Sequence, residues 1–155
     1  MSLARDLLVT ARRLAKASPQ RPRQVDLRRS ISTAYYAAFH ALAKQCADRL
    51  VGTGQQRSAA AWQQTYRALE HGFAKDASFK ARSLGFPPEI VDFGSAFAQL
   101  QEERHKADYD PLVRYSRADA LLYASQAEHA IQNLNGAARR DQQAFAVLVL
   151  LRRRS

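Results

Sequence analysis

Between Val25 and Leu50 the side chains of Leu27, Ile31, Tyr35, Ala38, Leu42 and Cys46 recur every three or four positions, with no proline or glycine between them. That period is the repeat of one face of an α-helix, and a strand of such length is excluded by it. Ala34, Ala37, Ala38 and Ala41 add little bulk to this segment, so neighbouring helices can approach it closely. The spacing therefore predicts a long helix at the centre of a helical bundle. The rest of the chain agrees: only 6 Gly and 5 Pro stand among 155 residues otherwise rich in Ala, Leu, Arg and Gln. The length suits one domain.

Around this segment the pattern predicts a first helix over 3–16 with Leu3, Leu7, Leu14 and neighbouring alanines on one side, broken by "SPQRPRQ". A third helix is expected over about 58–73, anchored by Trp62, Tyr66 and Leu69, followed by a looser connection with a helical turn near 78–84. A fourth should begin at Pro88 or Glu89 and stop at about Tyr109, before Pro111. Ser116 and Asp119 form a capping-box pattern ahead of a fifth helix ending at Asn135, with Gly136 as its C-cap. The run from Ala144 to Leu151 fits either a sixth helix at a protein contact or a buried final helix. The fold class is all-α: an up-and-down bundle of four to five main helices with an additional C-terminal helix, divided into 1–136 and a basic, apolar segment 137–155.

The net charge is +10, yet residues 31–136 carry 11 basic and 11 acidic groups, so the excess lies in the two ends. Basic ends suit a phosphate backbone or an acidic protein partner, and they also serve simply as solvated surface. The lone Cys46 and the missing leader pattern point to the reducing cytoplasm, and no apolar run is long enough for a membrane span. The four histidines show no ligand spacing with Cys or carboxylates, and no Gly-rich phosphate loop is present, so no metal or cofactor is called for.

On the fourth helix Ile90, Phe93, Phe97 and Leu100 form an inward stripe whose next member is Arg104. Asp108 falls one turn further on the same line, and His105 and Tyr109 make a second pair on its flank. A guanidinium on a core-facing line requires a carboxylate, a carbonyl or water. An Arg104–Asp108 pair at the core rim satisfies that need, and so does a polar groove. Arg29, Thr33, Tyr36 and His40 form a polar row on the second helix, so packing of the two helices would line one groove with arginine, histidine and tyrosine. Buried, internally bonded Tyr36 and His40 are the alternative.

The stretches "LRRSISTAYYAAFHALAK" and, some seventy residues later, "LQEERHKADYD" resemble the HEPN superfamily, in the branch of small bacterial proteins with an "AYYAAFHA" helix and an R-x-x-A-D-Y helix. The resemblance covers residues 25–135. It implies a helical bundle that dimerises with its arginine motifs facing each other. Many members are metal-independent endoribonucleases or toxins, paired in some cases with antitoxin proteins, and others are accessory partners of nucleotidyltransferases or nucleotide-binding modules. The ribonuclease pattern is an arginine, a polar residue and a histidine about five positions after the arginine. Arg104 and His105 match the first two, while Tyr109 stands, with Asp108 before it, where the histidine belongs. In that frame Arg104, His105 and Tyr109 are the candidate catalytic residues, and Asp108, Arg29, Tyr36 and His40 bind or orient. The expected ligand is RNA or a nucleotide, bound by a homodimer. A non-catalytic interaction module is the other reading, and a small DNA-binding regulator lacks a helix-turn-helix pattern to support it.

Overall fold

In a computed structural model that describes residues 2–155, the chain is all-α, with seven helices and no strand among the described residues. The first, α1 (Leu3–Ala15), starts where the Ser2 hydroxyl accepts the Arg5 amide at 3.2 Å. Its inward face is Ala4, Leu8, Ala11 and Ala15. The alanines of the expected face are inward, and its leucines are the correction, since Leu3 is 51% exposed and Leu7 and Leu14 are only partly covered. Alanines win because α1 lies close against α2 (Gln24–Leu50), close enough for the Ser30 hydroxyl to donate to the Ala11 carbonyl at 2.6 Å.

The centre of the bundle is α2. Its Ala34, Ala37, Ala38, Leu42 and Cys46 are fully buried, and it packs against α1, α3 (Ala59–Arg67), α5 (Pro88–Tyr109), α6 (Arg117–Gly136) and α7 (Arg139–Leu150). Asp48, near its end, accepts from Trp62 Nε1 at 2.9 Å and from Lys44 at 2.8 Å, which ties α3 down.

The expected third helix is two helices. α3 ends at Arg67, Glu70 is extended at φ −110° and ψ 136°, and α4 (His71–Phe79) then fills the stretch read as a loose connection. Leu69 is buried, as expected, but from the linker rather than from a helical face. α4 lies so near α5 that a Cβ on buried Gly94 would stand 2.7 Å from the Ser78 carbonyl oxygen.

α5 has the predicted span. Its last carbonyls would be orphaned, and Arg28 of α2 donates to Ala107 O at 3.0 Å, Asp110 O at 2.7 Å and Val113 O. The Ser116–Asp119 capping box forms in both directions. Gly136 is not the left-handed cap that the sequence suggests; α6 runs through it and ends when Ala137 turns extended. The segment 137–155 supplies α7, whose Phe145, Ala146 and Val149 join the same core as Ala34, Phe93 and Leu134. Among the described residues no helix is long and apolar enough to cross a membrane.

Candidate functional site

The packing of α5 on α2 brings the end of the apolar stripe over the "AYYAAFHA" segment. Phe97 buries against Tyr35, with centroids 5.5 Å apart, and two turns later Arg104 reaches the same ring. The Arg104 Cζ lies 5.2 Å from the Tyr35 centroid and 5.7 Å from that of Tyr36, both within cation–π range. Its other neighbour is Asp108, at 3.5 Å, and Asp108 Oδ2 also accepts from the Ser32 hydroxyl at 3.3 Å. Only 12% of the Arg104 side chain is exposed, and its Nε has no hydrogen-bond partner among the described residues. A guanidinium carries five donors, and this one is held by one long ion pair and two ring faces.

The remaining expected residues divide around Arg104. Arg29 lines an open cleft of about 380 Å³ with Arg28, Asp108 and Tyr109. His105 lines a second cleft of about 400 Å³ on the other side of α5, with Arg104, Lys75 and Glu102. His105 and Tyr109 do pair, with rings 4.9 Å apart, and both are exposed. Tyr36 touches Arg104 directly. His40 does not: it turns toward α3, where Nδ1 meets the Tyr66 hydroxyl at 2.6 Å. The two helices thus bring together Arg104, Asp108 and Tyr36, with Arg29 beside them, and leave His40 in a neighbouring aromatic cluster.

Three participants escaped the sequence reading. Tyr35 is the buried floor under the guanidinium, and Ser32 is the second ligand of Asp108. The third, His71, comes from α4, its ring stacked on Phe39 at 4.3 Å and its Nδ1 2.6 Å from the Tyr35 hydroxyl. Periodicity offers no route to it, because the helix expected over 58–73 breaks after Arg67 and His71 opens a second one with a new direction. Tyr35 and Ser32 were visible as members of the motif helix, the first next to Tyr36 and the second one turn from Arg29, but only packing shows which side faces Arg104.

Burial dominates the local proton affinities. It pushes the Tyr35 hydroxyl far up, outweighing the lowering effect of Arg104, so that Tyr35 stays a donor. Burial lowers His40, and burial followed by Arg104 and His40 lowers His71, each from the ordinary 6.5. The linkage is signed by those directions. Below about pH 6.5 the unfolded chain binds protons that folded His40 and His71 still refuse, so their contribution is complete above that pH and is lost as the pH falls. Urea midpoints measured from about pH 8 down to about pH 5 should decline on the acid side, and a His40→Phe, His71→Phe pair should flatten that decline.

The arrangement offers an underused cation, a floor of aromatic rings and two adjoining clefts, a combination suited to an anion with a planar group attached. No family model, curated protein or solved structure matches the chain, so its role has to be read from this arrangement.

Proposed function

We propose that this chain is a HEPN-like protein that binds RNA or a nucleotide through Arg104, of the kind that includes metal-independent endoribonucleases of toxin and defence systems. The observation that carries the reading is the Arg104 guanidinium, with its unpartnered Nε, at the junction of the two motif helices. A cation so placed costs desolvation energy that one carboxylate at 3.5 Å does not fully return, and a phosphate oxygen would complete its donor set. Metal-free cleavage needs a group to take the 2′-OH proton, a cation on the phosphorane and an acid for the leaving 5′ oxygen. Arg104 fits the second role, and His105, exposed on the adjoining cleft, is accessible for proton transfer. A homodimer is part of the reading. Exposed Val25, Tyr109 and Leu112 mark an apolar rim next to the Arg29 cleft, on the face that a second copy would cover.

The test is cleavage and binding of single-stranded RNA without divalent metal by the full chain, Arg104→Ala and His105→Ala, with helicity followed by circular dichroism. Arg104→Ala should keep the fold and weaken RNA binding about 10- to 100-fold, the range for a lost charge-assisted hydrogen bond. Equal binding by a folded Arg104→Ala protein sinks the reading.

A second reading, an accessory subunit for a nucleotidyltransferase or other protein, draws on the charge of α5. Residues 89–110 hold six acids against Arg104 and Lys106, a surface that favours a basic protein partner over a polyanion. Retained solubility without RNA binding, together with stoichiometric co-purification of such a partner, distinguishes this outcome.

A further inference from the structure

His71 opens α4 and stands against the same two tyrosines as Arg104. Its ring centroid is 5.6 Å from that of Tyr35 and 5.8 Å from that of Tyr36. The stack on Phe39, 20° from parallel, fixes the plane of the imidazole. The hydrogen bond at its inner edge fixes the tautomer. The Tyr35 hydroxyl is buried, remains protonated, and has no other acceptor among the described residues, so it donates into Nδ1. A neutral imidazole that accepts at Nδ1 carries its proton on Nε2. The opposite edge of this partly exposed ring is therefore a fixed N–H donor, and no protein group among the described residues takes it.

His105, the histidine next to Arg104 in sequence, has no comparable support. It leans on exposed Tyr109 and has no hydrogen bond to orient it among the described residues. An imidazole locked by a buried hydroxyl and an aromatic stack gives a preorganised donor, whereas a free one loses rotamer entropy on binding.

We infer, on the reading that Arg104 binds phosphate, that His71 is the phosphate-holding imidazole of the site: its Nε2–H and the Arg104 guanidinium together take the oxygens of one RNA phosphodiester. The histidine absent from the position of Tyr109 on α5 is thus supplied in space from α4. It acts as a neutral hydrogen-bond donor to the bound phosphate rather than as a proton acceptor. The groups that surround it are Tyr35, Tyr36, Phe39 and His40 from α2 and Arg104 from α5, and none of them is a carboxylate that would draw a second proton onto the ring.

Two measurements test this on the full chain. Nitrogen-15 NMR of the imidazoles at neutral pH should find His71 neutral with Nδ1 unprotonated, and a short oligouridylate should shift its Nε2–H signal. In binding titrations with the same oligouridylate, His71→Phe keeps the stack on Phe39 but should lose about tenfold in affinity, the scale of one hydrogen bond to a charged acceptor. His71→Gln should regain part of it, since its amide can accept from Tyr35 and still donate outward, and His129→Ala on α6 should bind like the parent. A charged His71 at neutral pH, the opposite tautomer, or an Nε2–H unmoved by RNA overturns the assignment even if His71→Phe fails to fold. Unchanged affinity in folded His71→Phe, with loss in Arg104→Ala, rejects His71 and leaves the Arg104 site standing. No binding by the parent protein rejects both.

Discussion

Phe145→Ala should lower the unfolding free energy by about 3–5 kcal/mol, the cost of emptying a fully enclosed aromatic site. Phe145 is wholly buried and meets Phe93 and Phe86 edge-on, with centroids 5.9 and 5.8 Å apart. In a chain of this length that loss corresponds to a fall in melting temperature of about 10 °C. Thermal denaturation followed by circular dichroism measures it. The size of the effect also decides what α7 is for, because a docking helix tolerates the substitution and a core helix does not. A loss below about 1 kcal/mol, within the range of surface substitutions, would return α7 to the role of a partner-binding segment.

Gly94→Val should be comparably damaging for the opposite reason, overfilling. Helix propensity alone favours replacing a mid-helix glycine, by up to about 1 kcal/mol for alanine. Here the new Cβ would lie 2.7 Å from the Ser78 carbonyl oxygen, a backbone atom that moves only if α4 moves. Overpacking of this kind costs about 1–3 kcal/mol, and the extra methyls of valine place it at the upper end. Gly72, exposed within α4, supplies the contrast. A Cβ there meets nothing within 4 Å, so Gly72→Ala should be neutral or slightly stabilising. Urea titrations should therefore show a clear loss for Gly94→Val and none for Gly72→Ala. On the proposed RNA reading Gly94→Val should also weaken RNA binding, because a displaced α4 carries His71 away from Arg104; unchanged affinity in a destabilised but folded protein would mean that the α4 position does not matter to the site.

How far the sequence announces all this depends on the element. α2 and α5 were legible almost to the residue, because long uninterrupted periodicity and a proline at each boundary of α5 leave little freedom. The break between α3 and α4 was not, since Ala68, Leu69 and Glu70 are ordinary helix residues and the kink exists to drop Leu69 into the core. On α1 the alanines of the expected face are inward, but Leu3, Leu7 and Leu14 do not share their depth, because helices this close leave little room for large side chains between them. In the site, the Arg104–Asp108 pairing was visible as a one-turn spacing. Arg28 as the clamp on α5 was not, because its partners are carbonyls, which every residue has and no pattern marks.

The same clamp has a consequence for the order in which the molecule assembles. Arg28 bonds to carbonyls 79, 82 and 85 residues downstream, Gln24 exchanges hydrogen bonds with Tyr115 across 91, and Arg117 donates back to Ala15, Ser18 and Pro19 across as many as 102. At this end of the bundle these side-chain bonds to the backbone all join segments distant in sequence, so a nascent chain emerging from the ribosome cannot close it until the start of α6 is out. During that interval the motif helix α2 is made but its arginine-bearing partner is not fastened to it, and the Arg104 site comes into being only once the start of α6 has emerged.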